Sequence, residues 1–194
     1  MSSLASNVHL MTNRELNGLA QNRFIDKATQ LALANHHYRL CREYLSLNSA
    51  LHPEARDILW NRRGFVLKAN LVKQGHYKNE PEKYRELYNL ASPRWKRGGS
   101  AWRMSSCFLK SYWHDQEGYT NTPSDVLDSI YEDFLKTNSG NPYTSHHSLI
   151  ALANHPNLGL KLALKLSSSD KVNSGVTNAA FRRLATFSDQ NKVG

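Results

Sequence analysis

The sequence predicts an all-α fold assembled from short, degenerate helical repeats, and three observations carry that expectation. Apolar residues recur at three- and four-residue spacing, while no alternating β-branched run is bounded by a hairpin turn. Proline opens four segments of similar pattern: HPEARDIL (52–59), EPEKYREL (80–87), TPSDVLDSI (122–130) and HPNLGLKL (155–162). The hexapeptide LALANH (31–36) returns as IALANH (150–155), 119 positions later.

Residues 1–11 read as a flexible polar segment. Thr12 followed three residues later by Glu15 is a capping-box pattern, and Leu16, Leu19, Ala20, Phe24, Ala28 and Leu31 follow at helical spacing. They predict one first helix that runs toward Ala34. Pro53, Pro81, Pro123 and Pro156 are placed at helix N1 positions, where a missing N–H costs nothing. Glu54, Glu82 and Asp125 put negative charge in the first turn of three of these helices, as the helix dipole favours. The prolines are 28, 42 and 33 positions apart, so the period is loose and its central interval carries an insertion. Intervening helices are predicted over 65–74, closed by Gly75 as a C′ residue, and over 101–112. A further amphipathic helix is predicted over 176–186, and 188–194 reads as a tail. Residues 148–166 read as two short helices meeting at Asn154-His155-Pro156, with Ile150, Leu152 and Ala153 before the corner and Leu158, Leu160, Leu162, Leu164 and Leu166 after it. Such a hairpin cannot bury its own apolar face and needs neighbours of the same kind. The expected organisation is one repeat domain over 12–187 with about nine to ten helices, interrupted by an irregular segment at 92–119.

The pattern IALANHPNLGLKLALKL (150–166), preceded by NTPSDVLDSI and HPEARDIL, resembles the variant leucine-rich repeat family, related in logic to HEAT repeats. The resemblance is clearest over Thr122 to Leu166, extends over Leu31 to Ala91, and fails from Ser92 to Tyr119. It implies a right-handed α-solenoid with a curved binding surface and no catalytic residues, since such repeats are a scaffold.

With 194 residues and 40% hydrophobic content, the chain has enough material for one cored domain. Every apolar run is interrupted by charge before the roughly 20 residues that span a bilayer, so no membrane partner is expected. The N-terminus lacks a basic region followed by an apolar one, and the expectation is a soluble, cytoplasmic protein. Two cysteines, Cys41 and Cys107, suggest no disulfide framework; each reads as a small apolar side chain.

A net charge of +9 points to a polyanion, and nucleic acid is the first partner to consider. The segment SPRWKRGGSAWRMSSCFLKSYWH (92–114) holds three of the four tryptophans and five basic residues without an acid. Basic residues interleaved with aromatics supply phosphate contacts and base stacking. The candidate nucleic-acid-binding residues are Arg94, Trp95, Lys96, Arg97, Trp102, Arg103 and Lys110, joined by Arg62 and Arg63 from a second cluster with Arg56, Lys68 and Lys73. The plainer alternative puts Trp102, Cys107, Phe108 and Leu109 in the core of one helix and leaves Arg94, Lys96 and Arg97 in a solvated loop. A third cluster comprises Lys161, Lys165, Lys171, Arg182 and Arg183. Between Asp115 and Asp133 six acids stand with no base, which suits an orienting surface or a basic protein partner.

No phosphate loop, GxSxG, HExxH or paired Cys-His motif is present, so the chain reads as nonenzymatic, with no cofactor and no small-molecule substrate. The pairs His36-His37 and His146-His147 lack metal-ligand spacing, and no metal is expected. His36 and His155 share one position in the repeated corner, where an imidazole can bond free backbone groups at a helix end. A protein-protein adaptor or inhibitor docking through a concave face is the alternative function. A HEAT-like base-excision enzyme, with Asp115 or Glu117 as the acid and Trp95, Trp102 or Trp113 stacking a flipped base, is a further one.

Overall fold

The computed structural model describes residues 4–90, 108–109, 117–137 and 146–190. The chain is all-helical, with eleven α-helices and no strand among the described residues. It divides into two compact units, residues 1–77 and 78–194.

The first unit contains α1 (Leu4–Asn7), a 3-10 turn (Val8–Leu10), α2 (Asn13–Gln21), α3 (Lys27–Asn35), α4 (Arg39–Ser46), α5 (Pro53–Asn61) and α6 (Phe65–Lys73). Each helix packs on its second neighbour: α2 on α4, α4 on α6, α1 on α3 and α3 on α5. The starts of α2, α4 and α6 are 26 residues apart, as are those of α3 and α5. The core repeats with the same interval. Leu33 and Leu59 are both fully buried, and the next position holds buried Ala34 in α3 and buried Trp60 in α5.

The capping box at Thr12 forms as the sequence predicts: Thr12 Oγ1 accepts the Glu15 N–H at 3.4 Å, and Glu15 Oε2 accepts the Thr12 N–H at 2.8 Å. The helix that follows does not reach Ala34. Asn22 Oδ1 accepts the Phe24 N–H at 2.9 Å, an Asx turn that halts α2, and Asp26 Oδ1 caps Thr29 N at 2.6 Å to start α3. Phe24, which helical spacing places on the apolar face, is therefore 95% exposed. The N-terminal segment also departs from expectation: residues 4–10 are helical, and Val8 is buried.

Short connections make sequential helices antiparallel, so the loops gather at two ends of this unit. At one end, Asn48 Nδ2 donates to Ala20 O at 3.1 Å and Asn22 O at 2.9 Å, and His76 Nε2 donates to Asn48 O at 2.9 Å. Buried Gln30 joins the same end, donating to Ile25 O and Ala50 O and accepting the His52 N–H at 2.6 Å. At the other end lie the α3–α4 corner (36–38) and the α5–α6 corner (62–64). Helix α6 closes as the sequence predicts on Gly75, whose φ of 73° lets His76 N reach Leu71 O and Gly75 N reach Val72 O.

The second unit contains α7 (Pro81–Leu90), a 3-10 turn (Glu117–Asn121), α8 (Ser124–Thr137), α9 (His146–Ala153), α10 (Leu160–Ser168) and α11 (Ser174–Gln190). Helix α7 packs on α8, and α9 and α10 both pack on α11. Buried Tyr84 donates to Gly118 O at 2.7 Å, Tyr88 donates to Ser129 O at 3.0 Å and to Asp133, and Arg85 clamps both oxygens of Asp125 at 2.7 and 3.1 Å. Thr122 Oγ1 donates to Phe108 O at 2.9 Å.

The repeated hexapeptide builds the same corner in both units. Asn35 Nδ2 bonds Leu31 O at 3.1 Å, and Asn154 Nδ2 bonds Ile150 O at 2.9 Å. His36 Nδ1 accepts the Tyr38 N–H at 3.1 Å, and His155 Nδ1 accepts the Asn157 N–H at 3.0 Å. The imidazoles thus bond backbone groups at a helix end, as their shared position suggests. Pro53 and Pro81 open α5 and α7 as predicted, whereas Pro123 stands one residue before α8. Pro156 opens no helix: it lies in a turn closed by Leu158 N on His155 O at 3.1 Å, and α10 starts only at Leu160. The turn survives because Asn157 Nδ2 ties it to Thr120 O at 2.8 Å and Thr122 O at 3.1 Å. Of the leucine arm after the corner, Leu158, Leu162 and Leu166 are buried, while Leu160 and Leu164 are about half exposed.

His155 is 1% exposed, and its Nε2–H donates to Tyr119 O at 2.8 Å. Both nitrogens are satisfied only in the neutral ring, and burial, opposed by the Tyr119 bond and aided by Arg183, pulls its pKa from 6.5 down to about 4. The unfolded chain takes a proton below pH 6.5 that the folded unit refuses until about pH 4. Stability conferred by this histidine is therefore complete above pH 6.5 and falls by about 3 kcal/mol as pH drops through that interval. Denaturant unfolding of wild type and His155→Gln between pH 7.5 and 4.5 checks this: the variant loses that share of the acid dependence.

Candidate nucleic-acid interface

Arg94, Trp95, Lys96, Arg97, Trp102, Arg103 and Lys110 lie outside the described residues, as do Trp113, Asp115 and the helix expected over 101–112 apart from buried Phe108 and Leu109. Arg62 and Arg63 are described, and both stand at the α5–α6 corner of the first unit.

Helix α3 ends at this side of the unit, leaving C-terminal carbonyls that need donors. Arg62 Nη2 donates to Ala34 O at 3.4 Å, Asn35 O at 3.3 Å and Asn35 Oδ1 at 3.4 Å. Arg42, from the second turn of α4, donates to His36 O. The negative end of the α3 dipole thus draws two guanidinium groups to one corner. Burial, and after it the charge of Arg62, lowers the Arg42 pKa. Arg42 Nε is buried and meets no acceptor among the described residues.

Further cations share this end. Arg39 opens α4 with its side chain 74% exposed, bonded to Glu43 at 2.6 Å. Arg63 is exposed beside Arg62, and Arg14 is exposed in the first turn of α2. The His37 ring lies against His36 with centroids 4.3 Å apart and planes tilted by 32°. His36 itself is held below the ordinary histidine pKa by burial and then by His37 and Arg42. The two acids at this end are both engaged, Glu15 by Thr12 and Glu43 by Arg39. At the opposite end acids and bases pair, with Lys27 on Glu54 at 2.5 Å and Arg56 on Asp57 at 3.0 Å. One end of the first unit is therefore strongly basic, and exposed guanidinium groups there match the geometry of phosphate.

The other cationic clusters are largely committed within their own units. Arg56 bonds His76 O at 3.0 Å and sits 4.5 Å from the Tyr77 ring, so it faces inward rather than joining Arg63. Lys68 is buried, donates to Trp60 O and lies 4.5 Å from the Trp60 ring. In the second unit, Lys165 pairs with Glu132 at 3.1 Å, and Arg183 donates to Pro156 O and covers the Phe187 ring at 4.8 Å. Lys161, Lys171 and Arg182 stay exposed. Three of the four acids of α8 are engaged too, Asp125 by Arg85, Glu132 by Lys165 and Asp133 by Tyr88, while Asp128 is exposed. These three acids thus serve their own unit's packing.

Comparison of the chain with protein-family models, curated proteins and solved structures finds no match. Cys41 is fully buried, and burial pushes its thiol up to about 11, which leaves it a small apolar side chain as expected. No group of three His, Cys, Asp or Glu side chains suited to a metal ion occurs among the described residues.

Arg39, Arg42 and His37 escaped the sequence reading. Their signal is present in HYRLCR (37–42), which directly follows the repeated corner, but of the three only His37 enters that reading, and only as a metal ligand. Arg62 and Arg63 are adjacent in sequence yet differ in role. Arg62→Ala should cost about 0.5–1.5 kcal/mol by freeing three acceptors, whereas Arg63→Ala stays within about 0.5 kcal/mol. Urea unfolding of the two variants checks the contrast.

Proposed function

We propose that the protein is a nonenzymatic nucleic-acid-binding protein, built as a short α-solenoid of variant leucine-rich or HEAT-like units. The solenoid reading is supported by second-neighbour packing, the 26-residue interval in the first unit and the recurrence of the ALANH corner in the second. One observation carries the functional reading. Arg14, Arg39, Arg42, Arg62 and Arg63 gather at one end of the first unit, where both acids are already engaged. A polyanion backbone entering there relieves the mutual repulsion of these groups and releases its own counterions. The segment 92–110, with Arg94, Lys96, Arg97 and Arg103, supplies further phosphate contacts in this reading.

Phe24 favours a second reading, a protein-docking adaptor. It is 95% exposed on a loop whose backbone is pinned by Asn22 and Asn48, and a rigid exposed aromatic is a good interface anchor. A complex that survives nuclease and high salt, and that Phe24→Ala abolishes, would establish this reading instead.

Fluorescence anisotropy with nucleic acid over a salt series tests the first reading. Log K should fall linearly with log salt, and Arg39→Ala/Arg63→Ala should lower the slope by about two, one for each phosphate contact removed. Absence of binding at low salt would sink it.

A further inference from the structure

The basic end of the first unit carries a ring as well as charge. His36 is fixed: its N–H bonds Leu33 O at 3.1 Å, its Nδ1 accepts the Tyr38 N–H at 3.1 Å, and its carbonyl accepts from Arg42. His37 is exposed and lies on this fixed ring at 4.3 Å. His36 covers one side of it, and the exposure leaves ring surface open to solvent. Arg39 follows two residues later, and Arg63 adjoins Arg62, whose guanidinium reaches Asn35 just before the corner. The neighbouring carboxylate, Glu43, is held by Arg39.

We propose that this end binds unpaired nucleic acid in preference to duplex, with the His37 ring stacking one base and Arg39 and Arg63 contacting the flanking phosphates. The proposal rests on the nucleic-acid reading above and names its substrate class. A base in a duplex has both faces covered by its neighbours, whereas an unpaired base offers a π-face to any ring beside a cationic track. His37 suits that task because its ring is already packed on a fixed partner, so little freedom is lost when a base joins the stack. Charge alone would not discriminate between the two forms, since both present phosphates. The ring is what adds discrimination.

The test is anisotropy of the full chain against an oligo(dT) strand, an oligo(rU) strand and a mixed-sequence DNA duplex at low salt. Wild type should bind the single strands more tightly than the duplex. His37→Phe, which keeps a ring without charge, should stay within about threefold of wild type, whereas His37→Ala and His37→Lys should weaken single-strand binding by about five- to 100-fold, the worth of one stacked base. Duplex binding should change little in His37→Ala. His37 is exposed and lies outside the helices, and circular dichroism of each variant confirms the fold. Three results would overturn the proposal while leaving nucleic-acid binding intact: duplex bound as well as single strand, His37→Ala indistinguishable from wild type, or His37→Lys retaining affinity that His37→Phe loses. Failure of wild type to bind either form would overturn both.

Discussion

Every helix end must find partners for the backbone groups its own ladder leaves over. Helices α2 to α7 are only eight to ten residues long, so orphan end groups rival the internal bonds in number. The chain meets this demand with long side chains that reach about one repeat back. Asn48 reaches Ala20 and Asn22, His76 reaches Asn48, Arg62 reaches Ala34 and Asn35, and Arg183 reaches Pro156. Leaving one such acceptor buried and unpaired costs about 1–3 kcal/mol, comparable to burying an aliphatic side chain. The polar reach and the apolar core therefore specify the same stacking.

Charge asymmetry follows from that capping. Carbonyl ends attract Arg and Lys, and N-terminal ends attract Asp and Glu. Antiparallel helices ought then to mix the signs at each end of a unit. They do so at the end holding Asp26, Glu54, Lys27 and Arg56. They do not at the other, where α2, α4 and α6 start with Thr12, Tyr38 and Gly64 at their N-caps. The C-termini of α3 and α5 bring Arg42, Arg62 and Lys68, and only Glu15 and Glu43 stand against these and Arg14, Arg39 and Arg63. The surplus is thus concentrated in one place.

Two kinds of residue were read wrongly from spacing alone, for one reason. Phe24 and Pro156 fit helical patterns, but an asparagine side chain two residues before Phe24 and one residue after Pro156 bonds the backbone and enforces a turn. Side-chain-to-backbone bonds of this type compete with the helix and leave no periodicity to detect. Likewise, Arg56, Lys68, Lys165 and Arg183 looked equivalent to Arg63, although each is committed to a carbonyl, a ring or a carboxylate.

By itself the sequence determined the all-helical character, the capping box at Thr12, the Gly75 terminus, the proline starts of α5 and α7 and the recurrence of the ALANH corner. These depend on contacts within a few residues, which local chemistry specifies. Which basic residues remain available to a ligand was decided only by the tertiary structure. That question turns on acceptors some 20 to 30 positions away, such as Ala34 O for Arg62 at a separation of 28 and Pro156 O for Arg183 at 27. Linear spacing carries no record of them.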